Sequence, residues 1–107
     1  MEKFLKFNRP RYEEILRGTK IGTSRKGYRD IHLGELDAIM TEDETQKCKI
    51  NVVRVTHCVL GNIGRNEAVI EGYKDERDMI SSLKKIYGTE ISNNTEFTFV
   101  QWDAVNY

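Results

Sequence analysis

Bulky apolar and charged positions alternate from Lys3 to Phe7 (KFLKF), a pattern suited to an edge or half-buried strand, until Asn8-Arg9-Pro10 interrupts it. A short helix is expected next. Pro10 fits a first helical turn, Glu13 and Glu14 favour the positive end of the dipole, and Tyr12, Ile15 and Leu16 make one apolar face before Gly18 stops it. Thr19 to Arg25 (TKIGTSR) then reads as extended with an interruption at Gly22, and Lys26 to Leu33 as an exposed, partly basic loop.

Strands dominate the middle of the chain. Leu36 to Thr41 (LDAIMT) is one, the acidic Glu42-Asp43-Glu44 is a solvated turn, and Lys47 to Leu60 (KCKINVVRVTHCVL) is long and rich in β-branched residues. Simple alternation along that strand puts Ile50, Val52 and Arg54 on one face and Val53, Val55 and His57 on the other. Neither face is purely polar, which fits a curved sheet or small barrel. Gly61-Asn62 and Gly64 mark a loop, Asn66 to Ile70 a helical turn leading into Glu71-Gly72-Tyr73, and Asp75 is a plausible N-cap for the second main helix. In that helix Met79, Ile80, Leu83, Ile86 and Tyr87 form the apolar stripe, Asp78 sits in the first turn and Gly88 terminates. Thr95 to Trp102 (TEFTFVQW) is the last strand. The order β-α-β-β-β-α-β, with no repeat or low-complexity tract, predicts an α+β domain whose mixed sheet curls into a small barrel with two or three flanking helices.

At 107 residues this is the length of one domain, and a two-domain enzyme is excluded in practice. Apolar residues make up 38% and are spread along the chain, which argues against disorder. No stretch approaches the roughly 18 to 20 apolar residues of a membrane span, and the N-terminal residues lack the apolar core of a secretory signal. A soluble, cytoplasmic protein without a membrane partner is expected. Cys48 and Cys58 are ten positions apart, outside the close pairs that hold zinc, and His32 and His57 do not complete a ligand set, so neither a metal nor a cofactor is expected. The 17 basic and 17 acidic residues cancel, yet residues 1 to 30 carry nine Lys and Arg against four Asp and Glu, a local net charge of +5. Such a split suits a basic patch facing phosphate or nucleic acid, or equally a set of scattered solvated charges.

The run Gly18-Thr19-Lys20-Ile21-Gly22-Thr23-Ser24-Arg25 concentrates the candidate chemistry. On a regular strand Thr23 and Arg25 share a face and Lys20 points the other way. A bulge or turn at Gly22 would bring Lys20 round to Thr23 and make the three converge. The blander reading leaves Lys20 and Arg25 solvated and Thr23 as a β-former on a sheet edge. Glu71 falls between apolar Ala68-Val69-Ile70 and Gly72-Tyr73, where a carboxylate is either partly buried or exposed at the end of the helical turn. Tyr12, Tyr28, Tyr73 and Trp102 offer rings for stacking on a base, although most aromatics in a chain this size are core. Ser24 with His32 or His57 is a weaker alternative, because no G-x-S-x-G nucleophile elbow accompanies it.

The segment resembles the G-x-K-x-x-[TE]-x-R signature of ASCH domains, members of the PUA-like superfamily of small β-barrels linked to RNA and modified nucleosides. The resemblance extends over Phe7, Tyr12, Ile15 and Leu16, Gly34-Glu35-Leu36, the AVIEGY segment from Ala68 to Tyr73, the Asp75 to Tyr87 helix and Phe97-Thr98-Phe99-Val100. Within the family the chain is similar to the bacterial N(4)-acetylcytidine amidohydrolases. That similarity implies Lys20, Thr23 and Glu71 as catalytic residues, with Arg25, Gly18 and Tyr73 binding a nucleoside or RNA substrate. A lysine can act as base toward a threonine hydroxyl only where desolvation or a nearby cation lowers its pKa. Two readings from other classes stand beside this one: a non-catalytic RNA-binding module or ribonuclease, and a small protein-interaction domain using the acidic C-terminal half.

Overall fold

Asn8 turns the first strand into the first helix. In the computed structural model, which describes residues 1–106, β1 (Phe4–Phe7) buries Leu5 and Phe7 and exposes Phe4 and Lys6. The Asn8 side chain then accepts from the Arg11 backbone N–H at 3.2 Å and starts α1 (Arg9–Arg17), with Pro10 in its first turn. Gly18 ends α1 at φ +80°, a left-handed conformation that glycine takes without a Cβ clash. Glu13 and Glu14 lie beyond the first turn, contrary to the expectation that they serve the helix dipole. Glu14 instead pairs with Arg11 at 2.9 Å.

The rest of the chain forms β2 (Gly22–Lys26), β3 (Gly34–Met40), β4 (Lys47–Val59), a 3₁₀ turn at Leu60–Asn62, α2 (Arg65–Ile70), α3 (Glu76–Tyr87) and β5 (Glu96–Asn106). The strands make one sheet in the order β1-β3-β4-β5-β2. The β1 and β3 strands run parallel and the other pairs antiparallel, so the sheet is mixed. It curls into a half-barrel with three helices, the α+β architecture the sequence predicts. Among the described residues no helix is long and apolar enough to cross a membrane.

Two apolar clusters sit on opposite sides of β5. The inner one joins Leu5, Phe7, Ile50, Val52, Val100 and Trp102 and is capped by Tyr12 and Ile15 of α1. The outer one joins Phe97 with Ala68 of α2, Met79 and Leu83 of α3, and Ile91. Asp75 caps α3 by accepting from the Asp78 N–H at 2.8 Å, as its position predicts. Each large apolar side chain withdrawn from water in these clusters contributes about 1.5–3 kcal/mol, so the two cores anchor β5 from both faces.

The long strand β4 departs from simple alternation. Its register against β5 shifts between Ile50 and Val52 and again between Val52 and Arg54. Past these irregularities Val55 pairs with Val100 and packs against the same cluster as Ile50 and Val52, whereas Arg54 is exposed over the Phe99 ring. The expected grouping of Arg54 with Ile50 and Val52 is therefore wrong, because an extra residue in one strand inverts the facing of everything after it. The bulges also supply the curvature that closes half a barrel.

Candidate functional site

The two outer strands of the sheet, β1 and β2, approach each other without pairing, and Arg25 bridges them. Its Nη2 donates to the Lys6 carbonyl at 2.7 Å, and its guanidinium lies 4.8 Å from the centre of the Phe7 ring. Beside this bridge opens a cleft of about 130 Å³. Its walls are the end of β1 and start of α1, the β2 edge, the turn after α2, and one side of α3.

Lys20, Thr23, Arg25, Glu71 and Tyr73 all line this cleft. Lys20 is 3% exposed and donates from Nζ to the Glu71 backbone carbonyl at 3.0 Å. Burial pushes its pKa down to about 8, and the Arg11 and Arg25 cations push the same way against the Glu71 carboxylate. Glu71 is 1% exposed, which decides between the two readings of its sequence position. Desolvation raises its pKa, opposed by Lys20 and by hydrogen bonds from Ser24. Arg25 is lowered by burial from its ordinary value and still stays a cation.

Glu71 comes to the cleft because α2 ends at Ile70, whose carbonyl accepts from the Ile21 N–H at 2.9 Å. That contact ties α2 to the segment just before β2, and Gly22 permits the approach: a Cβ there would lie 2.7 Å from Ile70 Cγ2 and 3.0 Å from the Val100 carbonyl oxygen. The bulge or turn that would have brought Lys20 round is not at Gly22, which is the first paired residue of β2. Residues 22–26 pair with residues 101–97 in unbroken register, and Lys20 reaches the cleft because it precedes the strand and escapes its alternation. Glycine is needed here for space rather than for a kink.

Alternation within β2 has a further consequence. Thr23 pairs across to Val100, on the side of the inner core, while Ser24 pairs across to Phe99 on the opposite side. The Glu71 carboxylate therefore accepts from Ser24, from its N–H at 3.0 Å and its hydroxyl at 2.5 Å, and not from Thr23. Among the described residues no hydrogen bond joins Thr23 to Lys20 or Glu71. Sequence reasoning considered Ser24 only with a histidine, and neither histidine lines the cleft. His57 instead stacks on Tyr28 at 4.2 Å, and its Nδ1 meets Thr98 Oγ1 at 3.1 Å.

Arg11 was also missed. It lines the cleft with its guanidinium 4.8 Å from the Tyr73 ring centre, and the Tyr73 hydroxyl donates to Ser82 at 3.2 Å. Its i,i+3 spacing from Glu14 was the available signal. Of the other rings, Tyr12 and Trp102 are buried in the inner core and Tyr28 is exposed away from the cleft. Gly18 caps α1 and is not part of the cleft wall. Ile86, expected on the buried stripe of α3, is 64% exposed at the cleft rim.

No protein-family model and no curated protein matches the sequence. Solved structures do match by shape. A crystal structure of an ASCH domain from Lactobacillus crispatus JV V101 superposes with a TM-score of 0.61 at 19% identity, over 86% of this chain and 68% of that one. The chain has the ASCH fold. A protein from Enterococcus faecalis V583, with the family model DUF984, matches at a TM-score of 0.67 and 13% identity over 100% of this chain and 83% of that one. In this ASCH fold the signature residues Gly18 to Arg25 run from the end of α1 into the edge strand β2, and both charged members of the run, Lys20 and Arg25, line the cleft.

Proposed function

We propose that the cleft binds the cytidine of a nucleoside or RNA and that Lys20, Thr23 and Glu71 hydrolyse an N(4)-acyl amide on it. One observation carries this reading: a buried lysine with a pKa near 8 shares a small cleft with a buried glutamate, a threonine hydroxyl and an arginine. An amine with that pKa is partly neutral near physiological pH and can accept a proton, which an ordinary surface lysine cannot.

The reaction runs as an acyl transfer. Neutral Lys20 takes the Thr23 hydroxyl proton, directly or through one water, as the Thr23 oxygen attacks the acyl carbonyl carbon. Arg25 donates to the oxygen that becomes negative. The C–N bond breaks, the exocyclic nitrogen leaves as the cytidine amine with the proton returned from Lys20, and water then cleaves the acyl-threonine ester to carboxylic acid. Glu71, its carboxylate oriented by Ser24, counters the lysine charge and accepts from the base's amine.

Incubation of the purified chain with N(4)-acetylcytidine should release cytidine and acetate. Lys20→Arg keeps a cation but supplies no usable base, so hydrolysis should be lost while cytidine binding persists. Turnover by Lys20→Arg at the parent rate would sink the general-base assignment, and binding without any turnover by the parent chain would leave a nucleoside-binding module.

A further inference from the structure

The cleft at Lys20 is small for what it is proposed to hold. At about 130 Å³ it falls below the roughly 300–1,000 Å³ of ordinary small-molecule sites, so it accommodates the reacting end of a nucleoside and not its sugar. A second hollow of about 520 Å³ opens next to it, and Lys6 and Arg25 form part of the wall of both. The two hollows are therefore neighbours, with Lys6 and Arg25, joined by the bond from Arg25 to the Lys6 carbonyl, in the wall of each.

The lining of the second hollow is strongly cationic. Lys3, Lys6, Arg25 and Arg29 face it against the carboxylate of Glu2, and Glu2 is already held by Arg29, with Nε donating at 2.6 Å. Lys6 pairs with Glu44 at 3.1 Å. Lys3 and Arg25 have no carboxylate within ion-pair distance among the described residues. Four cationic side chains against one carboxylate around a groove of this size favour an anionic group there, and a free nucleoside has none. The Phe4 ring, 45% exposed at the same rim, adds an apolar surface for a ribose.

We infer that the substrate carries a phosphate, which sits in the hollow between β1 and β2 against Lys3, Lys6 and Arg25 while the base enters the Lys20 cleft. The inference rests on the nucleoside reading and narrows it to a phosphorylated cytidine, either a free nucleotide or a unit of an RNA strand. Arg25 is then the hinge of recognition, reaching the phosphate on one side and the reacting amide on the other.

Binding titrations by calorimetry separate the outcomes. The ligands are cytidine, cytidine 5′-monophosphate, cytidine 3′-monophosphate and a short cytidine-containing oligoribonucleotide, each at low and high salt. A monophosphate should bind roughly tenfold or more tightly than cytidine, the effect of one charge-assisted hydrogen bond, and the gain should shrink as salt rises. Lys3→Glu should bring the ratio of the two constants down towards one. An oligonucleotide that binds more tightly still identifies RNA as the source of the phosphate, and one that binds no better identifies a free nucleotide. Equal affinities for cytidine and both monophosphates would overturn the phosphate subsite while leaving the nucleoside reading intact. Failure of all four ligands to bind would remove both.

Discussion

Ser24 gives its backbone N–H and its hydroxyl to the Glu71 carboxylate, at 3.0 and 2.5 Å, while the backbone carbonyl of Glu71 accepts from Lys20 at 3.0 Å. The acid is gripped at both ends by one short segment of chain, 47 to 51 residues away in sequence. A carboxylate held by two donors is fixed in plane as well as in place, and in a buried site those donors partly offset the cost of its charge. Lys20 and Glu71 thereby share one buried site, and among the described residues no ion pair joins their side chains.

Ser24→Ala removes one of the two bonds and leaves the other. Stability should fall by about 1.5–3 kcal/mol, the usual effect of losing a hydrogen bond to a charged group. The pKa of Glu71, already raised by burial, should rise further, since the hydroxyl bond lowers it. Carbon-detected NMR of the glutamate carboxyl measures this directly, and an unchanged Glu71 titration in the variant would contradict the geometry.

Lys20 predicts a specific pH dependence of stability. Between its folded pKa of about 8 and the ordinary lysine value of 10.5, the unfolded chain holds a proton that the folded chain has released, so raising pH favours folding. The gain is on the order of 3 kcal/mol across that window, present above it and lost as pH falls through about 8. Lys20→Met, which cannot titrate, should lack this rise. Denaturant midpoints for the two proteins between pH 7 and 10 test it, and parallel curves would count against a buried amine. Under the proposed chemistry, kcat/KM should climb through the same pKa as Lys20 loses its proton.

Gly22→Ala should be costly despite adding a single methyl. The new Cβ would meet Ile70 Cγ2 at 2.7 Å and the Val100 carbonyl at 3.0 Å, and neither the short branched side chain nor the strand backbone can swing aside. A loss of about 1–3 kcal/mol is expected from overpacking, with α2 pushed outward and Glu71 drawn off Ser24. Adding Ile70→Ala should recover part of the loss, because it removes the nearer of the two obstacles. A Gly22→Ala protein as stable as the parent by thermal melting would refute the close approach.

Arg25 joins the two unpaired sheet edges through its bond to the Lys6 carbonyl and its stacking on Phe7. Lysine in its place has neither the planar fork nor the flat face. Arg25→Lys is expected to lose about 1–2 kcal/mol and to speed amide hydrogen exchange at the exposed end of β1 and in β2 more than in β4. Uniform exchange rates across the sheet in that variant would show that the edges are held by something else.

Local chemistry was enough to read most of the elements. Asn8, Pro10 and Gly18 delimit α1, Asp75 and Gly88 delimit α3, alternation marks β1, and the aromatic run from Thr95 to Trp102 marks most of β5, because caps, periodicity and composition act over a few residues and each leaves its own trace in the string of amino acids. Lys20, Thr23 and Arg25 were legible as a lysine, a hydroxyl and an arginine within one eight-residue run that resembles a family signature, and Glu71 as a carboxylate among apolar neighbours, though whether Glu71 was buried was not. What needed the folded chain was every relation between distant segments. Strand order β1-β3-β4-β5-β2 leaves β1 and β2 unpaired at the gap, the register shifts in β4 return Val55 to the core, and the docking of α2 on Gly22 chooses Ser24 over Thr23 as the partner of Glu71. Desolvation, which gives Lys20 its low pKa, belongs to no residue's sequence neighbourhood, because it is the sum of everything that packs around it.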